Sequence, residues 1–256
     1  MTLLDAGILG LVEGITEFLP VSSTGHLILA SALLHLPDTE FLKSFEIAIQ
    51  LGAIAAVPAL FFRSFLSIET LKKLVIGFIP TGLIGLLVYP YVKGYLLGNQ
   101  MVVVWSLALG GVALIAFELW QGKREAAAGS VSDITYKQAF TVGIFQSIAV
   151  IPGVSRSAAT IMGGLALGIP RAAIVEFSFL LAVPTMLAAT ALDLLKSSDS
   201  FVGADWTALF AGFAISFIVA LASIRFLLSY VRRYSFIPFG AYRIIAALAF
   251  FLLVLR

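Results

Sequence analysis

Six stretches of this chain are apolar over the roughly 20 residues that a helix needs to cross the hydrocarbon core of a bilayer. They run from Ser44 to Phe62, Leu74 to Val92, Met101 to Trp120, Ala172 to Leu195, Thr207 to Leu228 and Pro238 to Leu255. The chain is 61% hydrophobic and only 12% charged, with a mean hydropathy of +1.07, whereas soluble domains hold roughly 45–50% apolar residues. The fold class that follows is an all-α polytopic membrane protein, with residues 1–256 forming one transmembrane domain. No loop much exceeds the connection from Trp120 to Lys137, so a separate soluble domain is not expected. A net charge of +2, with dispersed basic residues, gives no surface for nucleic acid. Cysteine is absent, which excludes disulfides, thiolate nucleophiles and Cys-based metal sites. The first apolar run is interrupted by Asp5, Glu13 and Glu17 and lacks a basic leader, so it should remain in the mature protein.

Two further apolar regions, Leu3 to Leu36 and Ala139 to Leu167, are broken in the middle by Pro20 and by Pro152-Gly153. A Ser-rich triplet follows each break and suits the cap of a new helix. Both regions therefore read as re-entrant broken helical hairpins. Lipid offers no partner to the amides and carbonyls freed at a break, so each break must be buried in protein or line a polar cavity.

A shift of 133 residues lays Gly10 on Gly143, Ile15 on Ile148, Val21 on Val154, Ser22 on Ser155 and Ile28 on Ile161, and puts Glu13 over Gln146. Downstream, a span with an acid (Glu46, then Glu176) and two more spans follow each hairpin. Each half, about 1–122 and 136–256, is thus one hairpin plus an odd number of crossings. The second half must enter from the opposite face, which is an inverted repeat.

Basic loops set the orientation. Arg63, Lys72, Lys73, Lys123, Arg124, Lys137, Arg171, Arg232 and Arg233 fall on one side; Lys43, Lys93, Lys196 and Arg256 fall on the other, with Asp38, Glu40, Asp199 and Asp205. The richer side is expected to be cytoplasmic. If the hairpins return to their own side, both termini lie outside.

Ionisable side chains inside such a sequence are costly and mark function by default. Glu13 and Glu17 share one helix face, and two desolvated carboxylates there call for a metal or a cationic partner. Mg²⁺ or Ca²⁺ suits two carboxylates and substrate phosphate oxygens better than zinc does. Ser22, Ser23 and Thr24 stand where a helix restarts, with free amides and the positive dipole end available to an anion such as phosphate. His26 follows Ser22 by four and Ser23 by three, so a serine and an imidazole can share a face as nucleophile and base. At the matching position of the second hairpin, Arg156 lies between Ser155 and Ser157, a guanidinium built to fork onto phosphate oxygens. Gln146, the counterpart of Glu13, joins Ser22, Thr24, Ser155 and Ser157 as an expected phosphate-binding group. If the hairpins meet near the midplane, acids, hydroxyls, an imidazole and a guanidinium converge, which is the equipment of phosphoryl transfer.

Glu13-Gly-Ile-Thr-Glu17-Phe-Leu-Pro20-Val-Ser-Ser-Thr-Gly-His26 and Pro152-Gly-Val-Ser-Arg156-Ser resemble the two signature motifs of the bacterial undecaprenyl-diphosphate phosphatase family, associated with bacitracin resistance. The resemblance extends along nearly the whole chain, including Glu176-Phe-Ser-Phe-Leu-Leu-Ala-Val-Pro184 and Ser235-Phe-Ile-Pro238. It implies a multi-pass enzyme of the bacterial inner membrane that removes the terminal phosphate of undecaprenyl diphosphate, recycling the lipid carrier for peptidoglycan synthesis. It further implies dependence on a divalent cation and an active site open to the outer side. Residue by residue, the family's acidic pair falls on Glu13 and Glu17, its serine and histidine on Ser23 and His26, and its arginine on Arg156. Ala158 departs from the glycine usual after Ser-Arg-Ser, a change that a helix start tolerates. The expected partners are the polyprenyl diphosphate and membrane lipids, and a homodimer is compatible with this reading. Ser23, a water or His26 remain open as nucleophile. Paired broken hairpins also build secondary transporters, so a carrier or flippase for a phosphorylated lipid or another anion is the alternative.

Overall fold

The computed structural model describes residues 1–96, 99–122, 129–196 and 205–255, with side chains for all of these except 93 and 193–196. Eleven α-helices account for most of the described residues, and no strand occurs among them. In chain order they are α1 (Leu3–Thr16), α2 (Ser23–Leu33), α3 (Glu40–Leu60), α4 (Phe62–Leu66), α5 (Ile68–Tyr91), α6 (Gln100–Gln121), α7 (Tyr136–Ser147), α8 (Arg156–Ala166), α9 (Arg171–Lys196), α10 (Trp206–Tyr230) and α11 (Ile237–Phe250). Six are long and apolar enough to cross a membrane: α3, α5, α6, α9, α10, and α11 with its π-helical extension to Leu255. They coincide with the six runs read from hydropathy to within a few residues.

Helix starts follow local chemistry. Thr2 and Asp5 form a capping box on α1, with the Thr2 amide donating to Asp5 Oδ2 at 2.7 Å and the Asp5 amide to Thr2 Oγ1 at 3.2 Å. Thr135 and Gln138 do the same for α7. Ser155 caps α8 as expected, accepting the Ala158 amide at 3.1 Å, so the alanine at the departure from the motif sits comfortably in the first helical turn. Ser22 precedes α2 but makes no side-chain capping bond, because its φ of 74° puts it in the left-handed region.

Packing order explains how short helices become hairpins. α1 runs parallel to α10, Gly10 meeting Gly212 and Gly14 meeting Ser216. α7 runs parallel to α5, Gly143 meeting Gly77 and the Gly143 carbonyl accepting from Thr81 Oγ1 at 2.9 Å. α6 packs on α11. Small residues at such crossings let backbones approach, which in lipid replaces the hydrophobic drive available in water. In the second hairpin the open ends of the two limbs lie together. Gln138 Nε2, at the start of α7, donates to Leu167 O just past α8 at 3.3 Å, and Gln121 Nε2, at the end of α6, donates to Leu165 O at 3.0 Å. In the first hairpin, Ala6 and Leu9 of α1 share a cluster with Leu34 and Leu36 beyond α2 and with Leu42 and Phe45 of α3. In each hairpin the outer ends of the two limbs thus lie near one another.

The first turn is enclosed by protein, and in the second Gly153 and Ser155 are buried while Ile148 and Ile151 stay exposed. Phe18, in the first, is fully buried and meets Phe179 edge-on at 5.2 Å within the main core cluster. At one end of the bundle Glu118 of α6 pairs with Arg171 of α9 and accepts the Phe236 amide at 3.1 Å. Lys73 donates to Ser132 O at 2.7 Å at the start of α5. Lys123, Arg124, Asp199 and Arg256, which entered the charge count, lie outside the described residues, as do the side chains of Lys93 and Lys196.

A Cβ on Gly10 would stand 2.6 Å from the Gly212 carbonyl oxygen, backbone that cannot rotate away. Gly10→Ala should therefore destabilise the bundle by about 1–3 kcal/mol, read as earlier thermal unfolding in detergent. Unchanged unfolding would mean that α1 and α10 do not pack this closely.

Candidate active site

The two helix breaks meet. Ser157 Oγ donates to Phe18 O at 2.8 Å, and Arg156 Nη2 donates to Glu17 Oε1 at 3.2 Å, each contact joining one break to the other. Between them opens a cavity of about 750 Å³. Glu17, Ser22, Ser23, Thr24, Gln146, Ser155 and Arg156 line its polar end, and Gln50 of α3 with Thr81 of α5 and Thr185 of α9 completes it. The rest of its wall comes from Ala149, Val150 and Val154 of the second break and from α5 and α9, including Phe78, Leu86, Met186 and Leu192. The chamber is polar at the breaks and apolar along a path between two long helices.

Glu17 is the hinge of the polar end. Its Oε2 accepts Ser23 Oγ at 2.6 Å while its Oε1 accepts Arg156, so one carboxylate ties a hydroxyl of the first hairpin to a guanidinium of the second. Both ends of the ion pair are buried, with side-chain exposures of 12% for Arg156 and 6% for Glu17. A guanidinium has five N–H donors. Nη1 spends one on Ser178 O at 2.9 Å, Nη2 spends one on Glu17, and Nε has no partner among the described residues. Arg156 is thus the cationic partner of Glu17, and it keeps donors in reserve for an anion.

Glu13 lies one turn behind Glu17, fully buried and off the cavity wall, with neither carboxylate oxygen hydrogen-bonded among the described residues. Two unused acceptors beside a second carboxylate fit a cation. No group of three His, Cys, Asp or Glu side chains converges among the described residues, so a metal here would complete its shell with water and phosphate oxygens, as Mg²⁺ commonly does.

Two of the expected site residues face away from the chamber. Each residue turns about 100° around a helix, so Ser157, the residue after Arg156, faces Phe18, and its hydroxyl is spent there with 1% exposure. His26 is not paired with Ser23. Its Nδ1 donates to the Ser22 carbonyl at 2.7 Å, and its Nε2 meets Tyr242 Oη at 2.7 Å with the rings stacked at 5.4 Å. The imidazole occupies the side of α2 that faces α11, not the chamber, and braces the left-handed Ser22. Spacing along a helix gave the shared face but not the neighbour that fills it.

Gln146 lines the chamber, donating to Thr81 Oγ1 at 2.9 Å and Thr185 Oγ1 at 3.0 Å, with Oε1 unpartnered among the described residues. Gln50, Thr81, Thr185, Tyr242 and Arg243 escaped the sequence reading. The available signal was polarity within an apolar span, strongest for Arg243 in the middle of the last one.

Residues 6–249 match the family described as bacitracin resistance protein BacA. The chain is 49% identical over 252 residues to the undecaprenyl-diphosphatase of Sulfurihydrogenibium sp. (strain YO3AOP1), covering 98% of this chain and 99% of that one. It is 50% identical over 256 residues to the protein of the same name from Aquifex aeolicus (strain VF5), covering 98% and 100%. The same name and 50% identity hold for Persephonella marina (strain DSM 14350 / EX-H1), covering all of both chains.

Proposed function

Because the chain belongs to the bacitracin resistance protein BacA family, we propose that the chamber between its two helix breaks is where it carries out the phosphatase reaction of that family. The reaction hydrolyses undecaprenyl diphosphate to undecaprenyl phosphate and inorganic phosphate, in a multi-pass membrane protein. The observation that carries the placement is Glu17, whose two oxygens hold Ser23 from one hairpin and Arg156 from the other.

In this mechanism the diphosphate sits at the polar end, on the spare donors of Arg156 and the first amides of α2 and α8, whose dipoles favour an anion. The prenyl tail leaves along the apolar path between α5 and α9. Ser23 Oγ attacks the terminal phosphorus as its proton passes to Glu17 Oε2; the Ser23 O–P bond forms and the bridging P–O bond breaks, releasing undecaprenyl phosphate. Water then hydrolyses the phosphoserine, giving inorganic phosphate and restoring Ser23. Arg156 neutralises charge that develops on the phosphoryl oxygens and keeps Glu17 turned toward Ser23. Glu13 and Glu17 would hold a divalent cation, Mg²⁺ or Ca²⁺, which supplies further charge neutralisation to the diphosphate. Gln146, Ser22, Thr24 and Ser155 complete the phosphate shell.

The hairpins are re-entrant in this reading, and the halves form an inverted repeat, supported by the matching pairs α1 on α10 and α7 on α5. The basic end, with Arg63, Lys72, Lys73, Lys137, Arg171, Arg232 and Arg233, faces the cytoplasm of a bacterial inner membrane. The chamber opens along the far halves of α5 and α9, toward the outer side. The carrier alternative is not favoured by the comparisons.

Purified protein in detergent, where no compartments exist, should release inorganic phosphate from undecaprenyl diphosphate. Substrate labelled in its terminal phosphate should leave acid-stable label on the protein, absent from Ser23→Ala. Undiminished phosphate release by Ser23→Ala would remove the serine from the mechanism. A chelator should slow turnover by about two orders of magnitude or more, with recovery on adding Mg²⁺ or Ca²⁺. Full activity in excess chelator would remove the cation.

A further inference from the structure

Arg243 stands in α11, remote in sequence from both hairpins, yet it is 1% exposed and touches each of them. Its guanidinium donates from Nη1 to Pro20 O at 3.3 Å, from Nη2 to Gly153 O at 3.2 Å and Ser106 O at 3.0 Å, and from Nε to Leu107 O at 3.3 Å. Among the described residues no carboxylate pairs with it. A buried cation satisfied only by backbone carbonyls is an expensive device in a membrane protein. Two of those carbonyls belong to Pro20 and Gly153, one inside each of the two breaks. The other two, on α6, anchor the fork from behind. Gly110 leaves the slot for it: a Cβ there would collide with Nη2 and the guanidinium carbon. Gly153, at a φ of +86°, turns its backbone onto α6 where no side chain fits.

We propose that Arg243 is a positioning residue for the hydrolysis. By holding a carbonyl of each break in one rigid fork, it sets how far Glu17 and Ser23 stand from Ser155 and Arg156, and so whether one diphosphate can reach both. The proposal rests on the chamber being the site of reaction. The fork is what matters, because four acceptors from three segments match the planar spread of a guanidinium and exceed what an ammonium reaches.

The test uses full-length protein in detergent, with hydrolysis kinetics and one distance. Arg243→Met should lower kcat by about 10²-fold, the scale of an ångström-level misplacement, with KM nearly unchanged because the tail path is untouched. Arg243→Lys should recover part of kcat. Gly110→Ala, which displaces the guanidinium without altering its charge, should slow the parent but add nothing to Arg243→Met. The chain has no cysteine, so spin labels at Leu33→Cys and Ile144→Cys, on exposed positions of the two hairpins, report their separation by double electron–electron resonance. That distribution should broaden in Arg243→Met. The inference is overturned if Arg243→Met keeps kcat within about twofold of the parent, if kcat falls with the label distance unchanged, or if Gly110→Ala and Arg243→Met multiply fully. Should Arg243→Met fail to fold, the Lys and Gly110→Ala variants carry the same comparisons. Arg156→Ala and Glu17→Gln run alongside: if they turn over at the parent rate, the chamber reading itself fails; if they are inactive while Arg243→Met is not, only the positioning role fails.

Discussion

Arg156→Ala is expected to lower kcat/KM for undecaprenyl diphosphate by about 10³–10⁵-fold, the range for removing an arginine that meets charge on a transferring phosphoryl group. The guanidinium is held from behind by Ser178 O and from the side by Glu17, with Nε uncommitted among the described residues. Such an arrangement is preorganised: the donors are aimed before substrate arrives, so no reorganisation is needed as charge develops. The substitution also releases Glu17 Oε1, leaving a buried carboxylate without its cation, and some loss of stability should accompany the loss of rate. Arg156→Lys restores the charge but not the fork, and should recover little of the activity. Steady-state phosphate release, with thermal unfolding as the control for folding, measures both effects. Near-normal turnover by folded Arg156→Ala would remove the guanidinium from the reaction.

Glu17→Gln should reduce kcat by about 10²–10⁴-fold, the contribution of a positioned general base. Glutamine keeps the length and can still accept the Ser23 hydroxyl, but it cannot take the proton. KM should change little, because the amide preserves the shape of the polar end. The variant should also leave less phosphoryl label on Ser23 at early times, since formation of the phosphoserine is the step it slows. Unchanged labelling with slow phosphate release would instead place Glu17 in the second, hydrolytic step.

The six spans and the two breaks were legible in the sequence because each depends on local chemistry. An apolar run of bilayer length is a helix wherever it packs, and Pro20 and Pro152-Gly153 interrupt one wherever they stand. That Glu17 and Arg156 come together was expected on one condition, that the hairpins meet, because a desolvated carboxylate and a desolvated guanidinium need one another. What local chemistry leaves out is which neighbour fills a given face. Ser157 and Arg156 are adjacent in sequence, yet one faces a carbonyl of the other hairpin and the other faces the chamber. His26 shares a helix face with serines, but Tyr242, from the far end of the chain, occupies its free nitrogen. Arg243 was visible as a charge in an apolar span, while its four acceptors, gathered from both breaks and α6, exist only in the assembled bundle.

The central claim is that both breaks grip one diphosphate, and a double-mutant cycle on Glu17→Gln and Arg156→Ala tests it most directly. With kcat/KM as the readout, the account predicts that the double variant is about as slow as the worse single variant, because the two groups act as one unit. Losses that simply multiply, as they do for groups with no shared partner, would contradict it.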